Sequence, residues 1–354
     1  MKKVALSVMF LLCVSYCFPQ NGGVLTGLNR PGMIRVSNDE LYVIEDATVF
    51  VYSINDCQLK RKFGKKGEGP GELKVVPTWV NGITIFSDTV YAESVDKIVE
   101  FSKDGNLKRE KKKPAESAKF TPVGNNFVGK KIKRDLSNRM MLITIVLYDS
   151  DMNEIKELYR QKFPQQPAQR GVKIELFSDF LNFQVADNKI FIEKSLKGFV
   201  IEVLASDGKP LYQIEKKYEQ IKVTKKHQWA ALEKVKQDPT IKRRLRQFGS
   251  WENLTKAMQF TFPDFMPPIQ HIDIADKKLY VQTFNVVGNK VEHIVMDLKG
   301  KTLGTFYLPE LPDPGLKGKA LGVKLYTIEN KKLYYLKEDQ DKEQWRLHIE
   351  EISY

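Results

Sequence analysis

The sequence predicts an all-β fold: a six-bladed β-propeller with a small α-helical insertion between blades 4 and 5. Three observations lead there. Six short apolar runs recur along the chain, ELYVIED at 40, TVYAES at 89, NFVGKK at 126, KIFIEK at 189, KLYVQT at 278 and KLYYLK at 332. Each is followed within about a dozen residues by a second strand-like run, from VFVYSI at 49 to WRLHIEEI at 345. Polar turns then lead into a further strand in five of the six, and Asp-Gly in SKDGN and SDGKP is a strong hairpin signal because glycine supplies the positive φ of the turn.

A strand also precedes each run, as in GMIRVSN, TWVNGITIFSD, AKFTPVGN, FLNFQVAD, IQHIDIAD and GVKLYTIEN. The unit is therefore four consecutive antiparallel strands. One such unit cannot bury both of its faces, so the copies must stack, and radial stacking leaves only short, protected edges. The sixth unit supplies three strands, and the extended segment 22–29, GGVLTGLN, is expected to add the fourth and close the ring. The propeller is assigned to residues 22–354.

Residues 1–17 read as a signal peptide. Lys2 and Lys3 precede an apolar run from Val4 to Val14 that is too short to span a bilayer, and Ser15 and Cys17 occupy small-residue positions, with cleavage after Cys17. The protein is expected to be exported to the periplasm or the extracellular space, with lipid anchoring at Cys17 the lesser alternative. Of three cysteines only Cys57 then remains, so the mature chain has no intramolecular disulfide and stands on its core alone. Cys57 sits in the turn INDCQL and reads as a surface thiol. No later stretch is apolar enough to cross a membrane.

The formal charge is +13, and two units of it, Lys2 and Lys3, belong to the leader. Residues 216–262 hold twelve Lys/Arg against four Asp/Glu, so one segment carries most of the excess. That distribution excludes a generally nucleic-acid-binding chain. The same segment, about 220–262, interrupts the repeat and reads as helical. KKHQWAALEKVKQ aligns Trp229, Leu232 and Val235. Asp238 and Pro239 open a second helix with Ile241, Leu245 and Phe248 on one side, ended by Gly249, and Ser250 caps a third, WENLTKAMQF. Its apolar stripe is expected to pack on the propeller, and the cationic face of Lys242, Arg243, Arg244 and Arg246 is the candidate contact for an anionic surface or partner.

The stretch FGKKGEGPGEL, 63–73, reads as an inter-blade joint. Gly64 and Gly69 have P-loop spacing, but Pro70 stands where the phosphate-binding lysine belongs and no helix follows. Its FG-x-x-G-x-GPGE-L pattern, followed by Pro77, resembles the blade junction of NHL-repeat-like propellers, particularly a group of exported bacterial six-bladed ones. That resemblance implies a fold and a habit of binding, not one reaction. The function expected is a binding or interaction module for a protein, peptide or glycan ligand, with Glu68, Glu72, Trp79 and His271 as candidate ligand-binding residues.

No catalytic residues and no metal site are assigned. The chain has four histidines, His227, His271, His293 and His348, none at metal-ligand spacing, and both HExxH and GxSxG are absent. The alternative is a calcium-dependent hydrolase or lyase of the lactonase type that uses axial carboxylates, for which Asp46, Asp96 and Asp135 are the loop candidates. Calcium belongs only to that alternative. Without it no cofactor is expected, and an enzyme is the less favoured reading.

Overall fold

In a computed structural model of the chain, six antiparallel sheets of four strands each are arranged as blades. The structure describes residues 22–354 apart from 77–78, 136, 138–139, 165–166, 169–170, 178–180, 310 and 312–323. Numbered from the N-terminus, blades 1 to 5 span 33–63, 82–112, 117–164, 183–216 and 271–309. In each, consecutive strands pair in the order in which they occur. Blade 6 takes Tyr326–Glu329, Lys332–Asp339 and Gln344–Glu351 from the end of the chain and Val24–Leu25 from its beginning.

The alternation of apolar residues explains the stacking. Each strand pair buries side chains on both faces, so each blade must share a core with both neighbours. Six separate apolar clusters lie between blades, one per interface. Met33, Tyr42, Val49, Ile83, Val90 and Val99 join blades 1 and 2, for example, while Phe191, Ile201, Ile272, Leu279 and Val281 join blades 4 and 5. The inner strands contact their neighbours all the way round, and that of blade 6 meets that of blade 1. Register preserves the repeat at residue level. Arg35, Thr84, Gln184, Asp273 and Thr327 on the inner strands pair with Tyr42, Tyr91, Phe191, Tyr280 and Tyr334, and Thr121 pairs with Val128 in the one blade without the ring.

The expected Asp-Gly turns are present. Gly105 and Gly208 have φ of 92° and 76°, a region that costs glycine nothing and other residues a steric penalty. The closing strand is short but well seated. Gly23 N–H donates to the Leu347 carbonyl at 3.1 Å, Leu347 N–H returns a bond at 2.8 Å, and Leu25 and Leu28 are buried beside Tyr334, Leu336 and Leu347. Cys57 differs from its sequence reading. It is 7% exposed and packs in this seam, where its sulfur lies against Gly23, and burial raises its thiol pKa. A turn dipeptide is tethered to the core because the N-terminal strand folds over it.

Three helices interrupt the connection from blade 4 to blade 5: α1 (Lys225–Gln237), α2 (Pro239–Phe248) and α3 (Trp251–Ala257). The expected caps form. Asp238 Oδ1 accepts from Ile241 N–H and Ser250 Oγ accepts from Asn253 N–H, and the structure adds a capping box of Thr224 and His227 at the start of α1. Two expectations fail. Trp229 is 68% exposed, so α1 buries only Val235 fully. The third helix stops at Ala257, because Met258–Thr261 runs as a strand parallel to Gly171–Glu175 from the connection between blades 3 and 4. An available sheet edge outweighs the helical periodicity of MQF. Leu176, Val235, Ile241, Leu254 and Met258 give these two excursions their own small core.

Residues 1–21, which include the segment expected to be a leader and Cys17, lie outside the described residues, and among those described no helix is long and apolar enough to cross a membrane. The seam is directly testable. Leu25→Ala is expected to cost about 2–5 kcal/mol in urea denaturation, the range for truncating a buried leucine. An unchanged midpoint would mean that the N-terminal strand does not close the ring.

Candidate functional site

The inner strands surround an axial cavity of about 250 Å³ that takes residues from every blade: Arg35, Thr84, Lys119, Gln184, Asp273 and Tyr326 among them. Polar bonds link neighbouring blades around it. The Asn81 side chain donates to the Asp46 carbonyl at 2.6 Å between blades 1 and 2. Glu93 of blade 2 accepts from the backbone N–H groups of Lys119 and Phe120 at 3.0 and 2.9 Å. Lys119 Nζ donates to the Phe183 carbonyl at 3.0 Å, and Gln184 Nε2 to that of Ile272 at 2.9 Å. Lys324 Nζ pairs with Asp273 at 2.5 Å, and the Lys324 carbonyl accepts from Ile34 N–H at 3.2 Å, which completes the circuit.

These bonds fix the inner ends of the blades and leave a surplus of positive charge at the axis. Lys324 has its carboxylate in Asp273, and Glu93 has Lys113 at 2.7 Å. Arg35 and Lys119 have no carboxylate within salt-bridge distance among the described residues. Arg35 donates to the carbonyl of Ile34 at 2.8 Å, and Lys119 also lies 4.9 Å above the Phe183 ring. Burial pulls the Arg35 and Lys119 pKa values down, and for Lys119 the neighbouring Lys130 and Lys324 add to the effect. Burial lowers Lys324 to about 8 despite Asp273. Burial pushes the Asp273 carboxyl up, but Lys324 and His271 more than offset this and hold it below its ordinary value.

Of the four residues singled out from the sequence as ligand-binding, Trp79 lines the cavity and His271 stands beside its lining residue Asp273. His271 begins the inner strand of blade 5 with Nε2 3.5 Å from Asp273 Oδ1. Trp79 lines the cavity, its ring 4.2 Å from Lys113 Nζ and its buried indole N–H without a partner among the described residues. Glu68 and Glu72 do not reach the axis. Glu72 pairs with Lys65 at 3.0 Å and accepts from Gly69 N–H at 2.8 Å, while Glu68 pairs with Lys74 at 2.7 Å. They hold the joint's own shape. A Cβ at Gly67 would stand 1.9 Å from a Glu72 side-chain oxygen, so a larger residue there would have to displace that carboxylate.

On the insertion, Lys242, Arg243, Arg244 and Arg246 are exposed and make no ion pair with a described residue. Asp46, Asp96 and Asp135 sit on three different blades. Asp96 accepts from Ser94 Oγ and Asp135 from Ser137 Oγ, and the described residues contain no group of three or more metal-ligating side chains. The remaining histidines serve packing and capping: His227 in the α1 cap, His293 stacked on Phe306, and His348 stacked on Tyr335. Arg35, Lys119, Lys324 and Asp273 were missed from sequence. The one available signal was a charged residue in the middle of an inner strand.

Over residues 26–308, which cover blades 1 to 5, the chain matches the family described as 6-bladed beta-propeller. No curated protein matches it. Among solved structures it is similar to Kluyveromyces lactis Hsv2 and to the AfRom2 CNH domain, each at 10% identity with a TM-score of 0.38. It is also similar to KlHsv2 with loop 6CD replaced by a Gly-Ser linker, at 9% identity and TM-score 0.37. All three alignments cover 94% of this chain and 98% of the other. Likenesses this distant carry no argument here.

The axial histidine gives a pH signature. Burial first, then Lys324, lowers the His271 pKa from 6.5 to about 4 against the raising pull of Asp273, with Lys119 adding to the lowering. Between those values the unfolded chain takes up a proton that the fold refuses, so stability is full above about pH 6.5 and falls as pH drops towards 4. His271→Gln is expected to flatten this fall by up to about 3 kcal/mol. Urea denaturation of both proteins at several pH values checks it, and parallel profiles would contradict it.

Proposed function

Because the chain belongs to the 6-bladed β-propeller family, we propose that it is an exported binding module for a peptide, protein or glycan ligand. The ligand is received on the face that carries the inter-blade connections and anchored in the axial cavity. The observation that carries this reading is the cavity wall: polar and charged groups from all six blades, fixed by inter-blade hydrogen bonds, surround a space large enough for a ligand's tip. Rigid elements that present fixed polar groups suit recognition, because little order has to be acquired on binding. The signal-peptide reading of residues 1–17 supports export, and the 63–73 joint supports kinship with exported NHL-like propellers.

The insertion belongs to the same reading as a docking arm. α2 directs four cations to solvent, while α1–α3 and the 171–176 segment share a core that holds the arm in place. An anionic surface meeting these groups would add salt-sensitive affinity without altering the axis.

Two experiments test the proposal. Peptide and glycan arrays probed with EDTA-dialysed protein are expected to yield a ligand that mass spectrometry recovers unaltered. Turnover that chelation abolishes would instead favour the calcium-dependent hydrolase. For the arm, the combined Arg243→Gln, Arg244→Gln and Arg246→Gln variant is expected to lose about tenfold in affinity for anionic vesicles at low salt, roughly 1.4 kcal/mol. Equal binding by variant and parent would remove the docking role.

A further inference from the structure

The binding reading leaves open what the axial cavity accepts, and the wall is one-sided in its chemistry. Arg35 spends one observed hydrogen bond on its own neighbour's carbonyl, and its guanidinium carries five N–H donors in all. Lys119 reaches one carbonyl and the face of one ring. The buried indole N–H of Trp79 has no partner among the described residues. All three residues line the same cavity. Opposing them, Asp273 is engaged by Lys324, Glu93 by Lys113 and two backbone N–H groups, and the buried Glu193, whose charge acts on Lys119 and Lys324, accepts from Asn182 N–H at 3.1 Å, while Glu329 stands at the far end of its inner strand. The cavity thus offers unspent donors and two cations, Arg35 and Lys119, that no described carboxylate approaches within salt-bridge distance, although Asp273 and Glu193 act on them from further away.

Buried cations without a counter-charge are costly, and groups in such positions are kept paired or neutral. Here Arg35 and Lys119 lie near enough to repel each other, with only longer-range attraction from Asp273 and Glu193. Lys130, the next cation outward, is committed to Asn182 at 2.8 Å and so points Lys119 no relief, since it adds a like charge nearby. A compact anion would satisfy Arg35 through its planar fork and Lys119 through a point charge, the usual division of labour at phosphate and carboxylate sites.

Building on the binding reading above, we propose that the axial cavity is a binding site for a compact anionic group, a phosphate or a carboxylate pair, held by Arg35, Lys119 and the Trp79 indole N–H. The cavity has room for about eight waters at ~30 Å³ each, which fits such a group on a short stem. A free small ligand and the tip of a larger one present the same chemistry.

The test uses the whole protein at constant ionic strength, with inorganic phosphate, pyrophosphate and succinate each replacing sodium chloride. At least one is expected to raise the melting temperature by about 2–5 °C at saturation, with one site per chain by calorimetry. Lys119→Met and Arg35→Gln are expected to abolish that rise. Because Lys119→Met removes a buried like charge but also the donor to the Phe183 carbonyl, the anion response of each variant is read as its own melting shift with and without anion. The combined Arg243→Gln, Arg244→Gln and Arg246→Gln variant should respond as the parent does, which places the site at the axis and not on the arm. No response to any of the three anions, or an equal response in the axial variants, would overturn the proposal. A peptide or glycan whose binding ignores both axial substitutions, with no anion bound, would sink this inference and leave the module reading intact. An anion that binds at the axis and is chemically altered there would do the reverse.

Discussion

A four-stranded sheet that is apolar on both faces has no stable existence alone, and this chain contains six. Every blade depends on a neighbour at each side, so the structure is stable only as a closed circle. The circle closes at one place. Val24–Leu25 completes blade 6, Leu25 and Leu28 fill the cluster between blades 6 and 1, and Cys57 is sealed beneath them. Without that seam the outer strand of the last blade would be an exposed edge beside an opened core, the arrangement that sheet proteins avoid.

Closure also creates the site. Once the inner strands form a ring, whatever stands at their middle positions faces a common axis. The pairing of Arg35 with Tyr42 and of Asp273 with Tyr280 sets an aromatic ring on the second strand behind a polar residue on the first. The aromatics supply packing between blades while the polar partners converge. Hydrogen bonds between blades then hold the convergent groups still, so the cost of gathering like charges is met by the fold before any ligand arrives. The two excursions on the connection side, joined by the parallel pairing of 171–175 with 258–261, add a second cationic feature with its own core.

Most of the fold was legible from the sequence, and the reasons are local. Aromatic third positions such as Tyr42 and Tyr280 mark the second strands, Asp-Gly turns mark the third hairpins, and Asp238, Pro239 and Ser250 mark helix starts. The failures share a cause: partners distant in sequence. Met258–Thr261 became a strand because a segment some eighty residues earlier offered it an edge. Cys57 was buried by the N-terminal strand, and Trp229 stayed exposed because no described residue covers that side of α1. The site was half legible. Trp79 and His271 stood out as uncommon residue types near the axis, whereas Glu68 and Glu72 lie away from it, in a glycine-rich acidic loop whose carboxylates pair with Lys74 and Lys65. Arg35, Lys119 and Asp273 were invisible, since a charged residue in an alternating strand reads as solvent-facing until the ring turns it inward.

The claim that everything else requires is the pairing of the chain's two ends in one sheet. Native-state hydrogen exchange at the Gly23 and Leu347 amides measures it most directly, because each donates to the other residue's carbonyl. The account predicts that both amides exchange only with global unfolding, in step with amides of the second strands such as Val43 and Val281. Rapid exchange at Gly23 and Leu347 while the blade interiors remain protected would show an open ring and contradict it.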